Sequence, residues 1–189
     1  MRSARRLSAA LLALALATGV ARRAPATLIL ALDLPAMVGR ADRIAVVDVV
    51  SVTAAWNDRH DRISTSIDLL VVDAWKGDLA PGARLTVRKP GGTVGDITTT
   101  VDGMPRFTPG ERTLVFLHGA ADRATVVGLT QGKRPVRRDP SSGRWMVAAP
   151  DRAGADFVRS RAVAAPVIET RTRPLDAMRT EVRALAAPQ

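Results

Sequence analysis

The fold is decided by residues 40–76, which read RADRIAVVDVVSVTAAWNDRHDRISTSIDLLVVDAWK, two long runs rich in β-branched residues joined by a charged loop. In the first run, apolar residues occupy odd and even positions alike, which predicts a strand over 43–53 that is covered on both faces. In the second run, the odd positions from Ile63 to Val71 form one apolar face, which predicts a strand over 62–75. The segment therefore indicates a β-rich domain.

Shorter strands separated by turns follow along the chain. Glycine and proline mark the breaks, for example at Gly91-Gly92 and at Pro109-Gly110. The predicted strands are 84–88, 97–101, 113–118, 125–130, 134–138 and 144–148. Strands so short and so closely spaced are typical of a barrel or a sandwich, and not of alternating strands and helices.

Two helices are predicted, one before and one after these strands. Residues 34–41 follow Asp33, which is a good N-cap, and carry Pro35 in the first turn. Residues 174–187 have an apolar stripe at spacings of three and four, formed by Leu175, Met178, Val182 and Leu185. We expect this second helix to pack on the strands, with partner binding as the alternative.

The first 26 residues have the composition of a secretory signal peptide, with a basic start, an apolar stretch over 7–21 and small residues after it. Cleavage is expected after Ala26, or else after Ala21. An uncleaved anchor is the alternative, although the stretch is shorter than the roughly 20 residues that span a bilayer. We therefore expect an exported protein, periplasmic or extracellular. It has a β domain over 27–149, an irregular linker over 150–172 and a helical segment over 173–189.

Composition narrows the possible functions. The chain has no cysteine, which removes thiol catalysis, thiolate metal sites and disulfides. Its formal net charge of +10 includes five arginines in residues 1–26, so cleavage there would halve the charge. The chain has three Phe, three Trp and no Tyr, so it offers few aromatic side chains on which bases could stack. We expect no nucleic acid among its partners.

The order of elements resembles that of netrin-like and metalloproteinase-inhibitor domains, and several motifs are similar to those of an uncharacterised family of exported bacterial proteins. The resemblance to netrin-like domains includes Ala41-Asp42-Arg43-Ile44 and Ala74-Trp75-Lys76-Gly77. The motifs similar to those of the exported bacterial family are Lys89-Pro90-Gly91-Gly92, Val101-Asp102-Gly103-Met104-Pro105-Arg106-Phe107, Pro109-Gly110-Glu111 and Gly128-Leu129-Thr130-Gln131-Gly132. The resemblance implies a small, partly open β-barrel of the oligonucleotide/oligosaccharide-binding (OB) type over about 27–148. Metalloproteinase inhibitors of this fold act through an N-terminal cysteine. That mechanism does not carry over to a chain without cysteine.

The charged loop between the two long strands is one candidate binding surface. Asp58 and His60 could ligate a metal, but the neighbouring Arg59 and Arg62 would repel a cation and pair with the carboxylates. A solvated hairpin loop is therefore favoured, and no metal is expected. Trp56, at the start of the loop, is either a lid on the barrel end or an exposed anchor for a partner.

Two further segments are candidate contacts. Gly91 and Gly92 could form a phosphate loop, but no Lys-Ser or Lys-Thr pair and no helix follow them. They fit better as a turn at which backbone closely approaches backbone or a ligand. The densest basic cluster is Lys133, Arg134, Arg137 and Arg138, which could contact an anionic polymer or lipid headgroups. The favoured interpretation of this cluster is a solvated edge strand protected from aggregation.

A hydrolase would need His118 near Glu111 or near a serine. His118 closes a predicted strand, and a solvent-facing strand end is the favoured interpretation of this residue. The sequence therefore favours an exported, non-enzymatic binding domain without a cofactor, whose partner is another envelope or secreted protein, for instance a protease. Binding of an anionic envelope component through 133–138 is the first alternative, and a hydrolase is the second.

Overall fold

The computed structural model describes residues 27–150, 155–158 and 171–187. The predicted signal peptide and most of the predicted linker lie outside these residues. The described part is mainly β with two helices. Its elements are β1 (Thr27–Leu30), α1 (Leu34–Arg40), β2 (Arg43–Trp56), β3 (Ile63–Lys76), β4 (Arg84–Pro90), β5 (Gly92–Val94), β6 (Ile97–Thr99), β7 (Arg112–His118), β8 (Thr125–Val126), a 3₁₀ turn (Leu129–Gly132), β9 (Lys133–Arg138), β10 (Trp145–Val147), β11 (Ala155–Val158), β12 (Arg173–Pro174) and α2 (Leu175–Ala186).

The main sheet is antiparallel and is not closed. Its strand order is β12-β10-β9-β7-β2-β3-β4, and β8 pairs with β7 beside this path. β2 and β3 form a long hairpin whose register shifts between Ile44 and Ala45, between Val46 and Val47, and between Val49 and Ser51. Such irregularities bend and coil a strand pair, so the sheet curls around one of its faces.

Both faces of the central strands are buried, as the apolar residues at both parities of β2 predict. Ile44, Val46, Leu114 and Phe116 pack with the two helices on one face. On the other face, a second cluster lies inside the curl of the sheet. It contains Ala45, Val47, Leu69, Val71, Leu85, Val87, Val115 and Leu117. Burial on two faces explains why β2 and β7 read as continuous apolar runs.

The two helices form where the sequence predicts them. Asp33 Oδ1 accepts a hydrogen bond from the backbone amide of Ala36 at 2.8 Å, which caps α1. In α2, Met178 and Val182 are fully buried in the same cluster as α1, so this helix packs on the sheet as expected. Leu185, the last residue of the predicted apolar stripe, is 41% exposed. No helix within the described ranges is long and apolar enough to cross a membrane.

The structure extends β2 to Trp56 and adds the short strand β5 at Gly92–Val94, and it differs further from the predictions in two segments. The strand predicted over 125–130 ends at Val126, because Gly128 and Leu129 adopt positive φ values of 65° and 59° and a 3₁₀ turn follows. Alternating apolar residues cannot reveal such a break. Within the predicted linker, Ala155–Val158 forms a strand that pairs in parallel with β1. The first helix is therefore preceded by a strand.

The outer edge of β4 is covered by the segment that leads into β8. Thr86 N donates to Ala121 O at 2.9 Å, Ala124 N donates to Thr86 O at 3.1 Å, and Arg88 N donates to Ala124 O at 2.9 Å. The strand that follows this segment, β8, pairs with β7.

Candidate ligand-binding site

Lys89, near the end of β4, lines three adjoining cavities with volumes of about 370, 70 and 450 Å³. The first and third share Gly92, Thr93 and Arg106, and the first and second share Met104. We call them together the Lys89 groove, which is bounded by Thr65, Gly92, Thr99, Met104 and Arg106. Among the described residues, this groove brings together residues from several of the sequence motifs named above.

The floor of the Lys89 groove is held by hydrogen bonds between β3 and the end of β4. Gly91 N donates to Ile63 O at 2.9 Å, and the Thr65 hydroxyl donates to Gly91 O at 2.6 Å. Gly92 has φ of +140°, and a Cβ there would lie 2.5 Å from Thr65 Oγ1 and 2.8 Å from Ala54 Cβ. The close approach that the sequence predicts at Gly91 and Gly92 is therefore confirmed as an approach of backbone to its own strands.

Two cations, Lys89 and Arg106, line both polar cavities of the Lys89 groove, and Arg88 lines the third cavity. Lys89 is half-buried and Arg106 is exposed, and within the described part of the chain neither has an ion pair. Burial, and secondarily the charge of Arg106, lower the pKa of Lys89 below its ordinary value. Asp102 lines the cavity of about 370 Å³ together with both cations. The electrostatics of the groove are therefore positive, with one nearby carboxylate.

One side of the Lys89 groove is apolar. The cavity of about 70 Å³ is lined by apolar side chains from three separate segments, together with Arg88, Lys89 and Thr125. The apolar side chains are Val87, Pro90, Met104, Pro105, Val126 and Leu129. Thr130 N donates to Gly103 O at 3.1 Å, which ties the 3₁₀ turn to the loop before β7. We call this cavity the apolar niche.

Three of the motifs that carry the family resemblance meet in this groove. They are residues 89–92, residues 101–107 and the 128–132 turn. Sequence reasoning singles out the two glycines but misses Lys89 and Arg106. Both cations stand beside turn residues in these motifs. Their proximity depends on how the loop over 101–107 folds back, which no sequence pattern shows.

The loop that contains Asp58 and His60 leaves the same end of the sheet. Asn57 organises it: the side-chain amide donates to Asp61 Oδ1 at 2.6 Å, and Asn57 Oδ1 accepts from the amides of Asp61 and Arg62. Asp58 and His60 are exposed, and the described residues contain no group of three acidic or histidine side chains that could hold a metal ion. The exposure of Asp58 and His60 agrees with a solvated hairpin loop.

Trp56 is the last residue of β2 and is half-buried. Its register partner is Ile63, and Ser64 pairs in turn with Pro90, next to the Lys89 groove. Val52 and Ala54 line the groove. Trp56 is also an even-numbered residue of β2, and the pairing of β2 with β3 has no register shift between Val52 and Trp56. Because alternate residues share a face, Trp56 lies on the same face of β2 as Ala54, two residues further along the strand.

The basic cluster is divided by the fold. Lys133 is 8% exposed and Arg134 is 3% exposed, whereas Arg137 and Arg138 are exposed. Lys133 Nζ lies 2.8 Å from Glu111 Oε1, and the Arg134 guanidinium lies 5.8 Å from the centre of the Phe116 ring. The interpretation of this segment as an edge strand is wrong, because β9 lies between β7 and β10. Only half of the predicted patch faces solvent.

His118 and Glu111 lie at opposite ends of β7, roughly 20 Å apart for an extended strand of this length. His118 is 67% exposed, and its Nδ1 lies 2.8 Å from Asp42 Oδ2. Glu111 Oε1 accepts from the backbone amide of Thr108 at 2.9 Å and pairs with Lys133. The two side chains therefore cannot act together as an acid and a base.

Comparison of the chain with protein-family models, with curated proteins and with solved structures finds no match.

Proposed function

We propose that this chain is an exported binding domain of the OB-like, netrin-like kind, and that it recognises another exported protein through the Lys89 groove. The observation that carries the proposal is the position of Lys89. A half-buried cation that has no ion pair among the described residues lines three adjoining cavities, one of them apolar. Ligand sites combine apolar walls with a few directed polar groups, and this groove has that composition.

The proposed barrel is supported by the hydrogen bonds at the edge of β4. Strands β2, β3, β4, β8 and β7 follow one another around the inner apolar cluster, and the contact between β4 and the 121–124 segment bridges the remaining gap. A partly open ring of five strands is the arrangement of OB-type barrels, whose ligands bind at the strand faces and adjoining loops. The Lys89 groove lies at such a position.

The proposal of export is based on the basic and apolar composition of residues 1–26. An exported binding domain meets its partner in the periplasm or outside the cell. The partner is therefore sought in those fractions.

The test is capture of a partner from the envelope and the medium of the producing cells at low and high salt. The wild-type protein, Trp56→Ala and Lys89→Met are compared with Arg137→Ala/Arg138→Ala, which changes two exposed cations outside the groove. We expect one exported protein to be retained by the wild type and by the arginine variant, and to be lost with Lys89→Met.

The opposite pattern would contradict the proposal. Capture that persists in Lys89→Met but disappears at high salt and with the arginine variant would favour the anionic-component alternative, since binding to polyanions weakens steeply with ionic strength. The burial of Lys133 and Arg134 already leaves that alternative only two exposed arginines on β9.

A further inference from the structure

The chemistry of the Lys89 groove also specifies the kind of ligand, and this inference rests on the proposed function. We infer that the groove binds an acidic segment of the partner protein, with a side-chain carboxylate between Lys89 and Arg106 and a neighbouring aliphatic side chain in the apolar niche.

The need for an anion follows from the charges in the groove. Lys89 and Arg106 line two of the same cavities, and within the described residues no carboxylate pairs with either of them. Two like charges near each other, one of them half-buried, destabilise each other until an anion binds between them. A carboxylate satisfies both cations, because a guanidinium presents paired N–H donors and an ammonium acts as a point charge.

The pKa of Lys89 supports the same conclusion. It is lowered by burial first and by the charge of Arg106 second. Both causes disfavour the charged form, and a bound carboxylate opposes both. Ligand binding is therefore expected to raise the pKa of Lys89.

A carboxylate fits this groove better than a phosphate does. Asp102 lines the same cavity as Lys89 and Arg106, so each additional negative charge on the ligand adds repulsion. A singly charged carboxylate meets less of this repulsion than a phosphate group with a charge between one and two.

The apolar niche indicates what stands beside the carboxylate. Its volume of about 70 Å³ exceeds the roughly 10–15 Å³ that a cavity needs to hold one water molecule, and it is lined mainly by apolar residues. Lys89 lines the niche as well as the two polar cavities, so the carboxylate and the apolar group are neighbours on the ligand. A peptide with an acidic residue next to an aliphatic residue has both groups at this spacing.

The test is a titration of the purified protein, followed by the NMR shifts of its backbone amides. The probe is the blocked pentapeptide Gly-Leu-Glu-Leu-Gly, which presents an aliphatic residue on both sides of the acid. Its controls are Gly-Leu-Gln-Leu-Gly without the charge, Gly-Ala-Glu-Ala-Gly without the aliphatic groups, and inorganic phosphate. The amides of Gly92, Met104 and Arg106 report on the groove, and the amide of Arg137 reports on a surface outside it.

We expect the Glu-Leu probe to shift the groove amides and not that of Arg137. The glutamine peptide, which lacks the carboxylate, should bind the wild-type protein about tenfold more weakly than the Glu-Leu probe. The Lys89→Met variant should bind the Glu-Leu probe about tenfold more weakly than the wild type, because each change removes one charge-assisted hydrogen bond. Lys89→Arg, which keeps the charge, should still bind, and Arg137→Gln should bind like the wild type. A dispersed spectrum shows that each variant is folded.

The inference is overturned if the glutamine peptide or phosphate shifts the groove amides as strongly as the Glu-Leu probe does. It is also overturned if the probe shifts no groove amide while the wild-type protein still captures its partner through Lys89, in which case the proposed function stands. Absence of both partner capture and probe binding overturns the inference and the proposed function together.

Discussion

Lys133 and Glu111 form an ion pair of 2.8 Å, and the Lys133 ammonium lies 5.1 Å from the centre of the Phe107 ring. Their side chains are 10% and 25% exposed, so the pair is largely withdrawn from water. It joins the start of β9 to the turn before β7. The sequence offers Lys133 as a candidate contact for an anion and Glu111 as a candidate partner of His118 in catalysis. Their ion pair gives both residues a structural role.

Glu111→Gln is expected to destabilise the protein by about 1–3 kcal/mol, because it leaves Lys133 buried without a counterion. The measurement is the free energy of unfolding in urea. Lys133→Met should cost less than Glu111→Gln, since it removes the buried charge. The loss in free energy of unfolding of the double variant should be smaller than the sum of the losses of the two single variants. Strictly additive effects would mean that the pair does not stabilise the fold.

The loss of stability caused by replacing an arginine on β9 should depend on whether that arginine is buried. Arg134→Ala removes a buried side chain that packs against Phe116 and should cost more than about 2 kcal/mol, whereas Arg137→Ala should change stability by less than about 0.5 kcal/mol. Thermal unfolding of the two variants measures the difference. Equal effects would contradict the division of the basic cluster into a buried half and an exposed half.

Gly92→Ala is expected to destabilise the protein by about 3 kcal/mol, because the new Cβ would collide with Thr65 and Ala54 and φ is +140°. The matched control is Gly95→Ala. Gly95 also has a positive φ, of 58°, but a Cβ added there would have nothing within 4 Å, so that change should cost only about 1 kcal/mol. Denaturant unfolding compares the two, and a Gly95 variant as unstable as the Gly92 variant would show that collision is not the cause.

Asp139 should stay ionised to a lower pH than an ordinary aspartate does. The Ser141 hydroxyl at 2.7 Å is the main cause that lowers its pKa to about 2, followed by the Ser141 amide and the Ser142 hydroxyl. Since the folded-state pKa lies below the unfolded value, the contribution of Asp139 to stability is present above pH 3.8 and is lost as the pH falls towards 2.

The measurement for Asp139 is an NMR titration of its side-chain carboxyl carbon. Ser141→Ala/Ser142→Ala should return the pKa towards its ordinary value. A wild-type midpoint at that ordinary value would contradict the hydrogen bonds seen in this turn.

The sequence predicts the main β elements because their causes are local. Alternation marks the buried face of β3, apolar residues at both parities mark β2, and Asp33 marks the start of α1. The end of β8 escapes prediction because it depends on Gly128. A Cβ there would lie 2.9 Å from Leu32 Cδ1, a contact between segments far apart in the chain. The position of β9 inside the sheet likewise depends on its pairing with β10, a strand that the sequence predicts but whose neighbours in the sheet it does not show.

The candidate site could be predicted only in part. Gly91 and Gly92 are visible in the sequence because consecutive glycines mark unusual backbone. Lys89 and Arg106 are ordinary basic residues until the fold brings both to one groove, and Lys133 looks equally available until the fold buries it against Glu111. Charge patterns in sequence show how many cations a segment has. Which of them lack a partner is decided by tertiary contacts.

The role of the Lys89 groove as the binding surface can be tested by site-specific photocrosslinking in the producing cells. A photoreactive residue is placed at Thr100, an exposed residue that lines the groove, and separately at Arg137 on β9. We expect an adduct with an exported protein from position 100, its loss when Lys89→Met is added, and no such adduct from position 137. An adduct from position 137 alone, or one from position 100 that is unaffected by Lys89→Met, would show that the partner binds elsewhere.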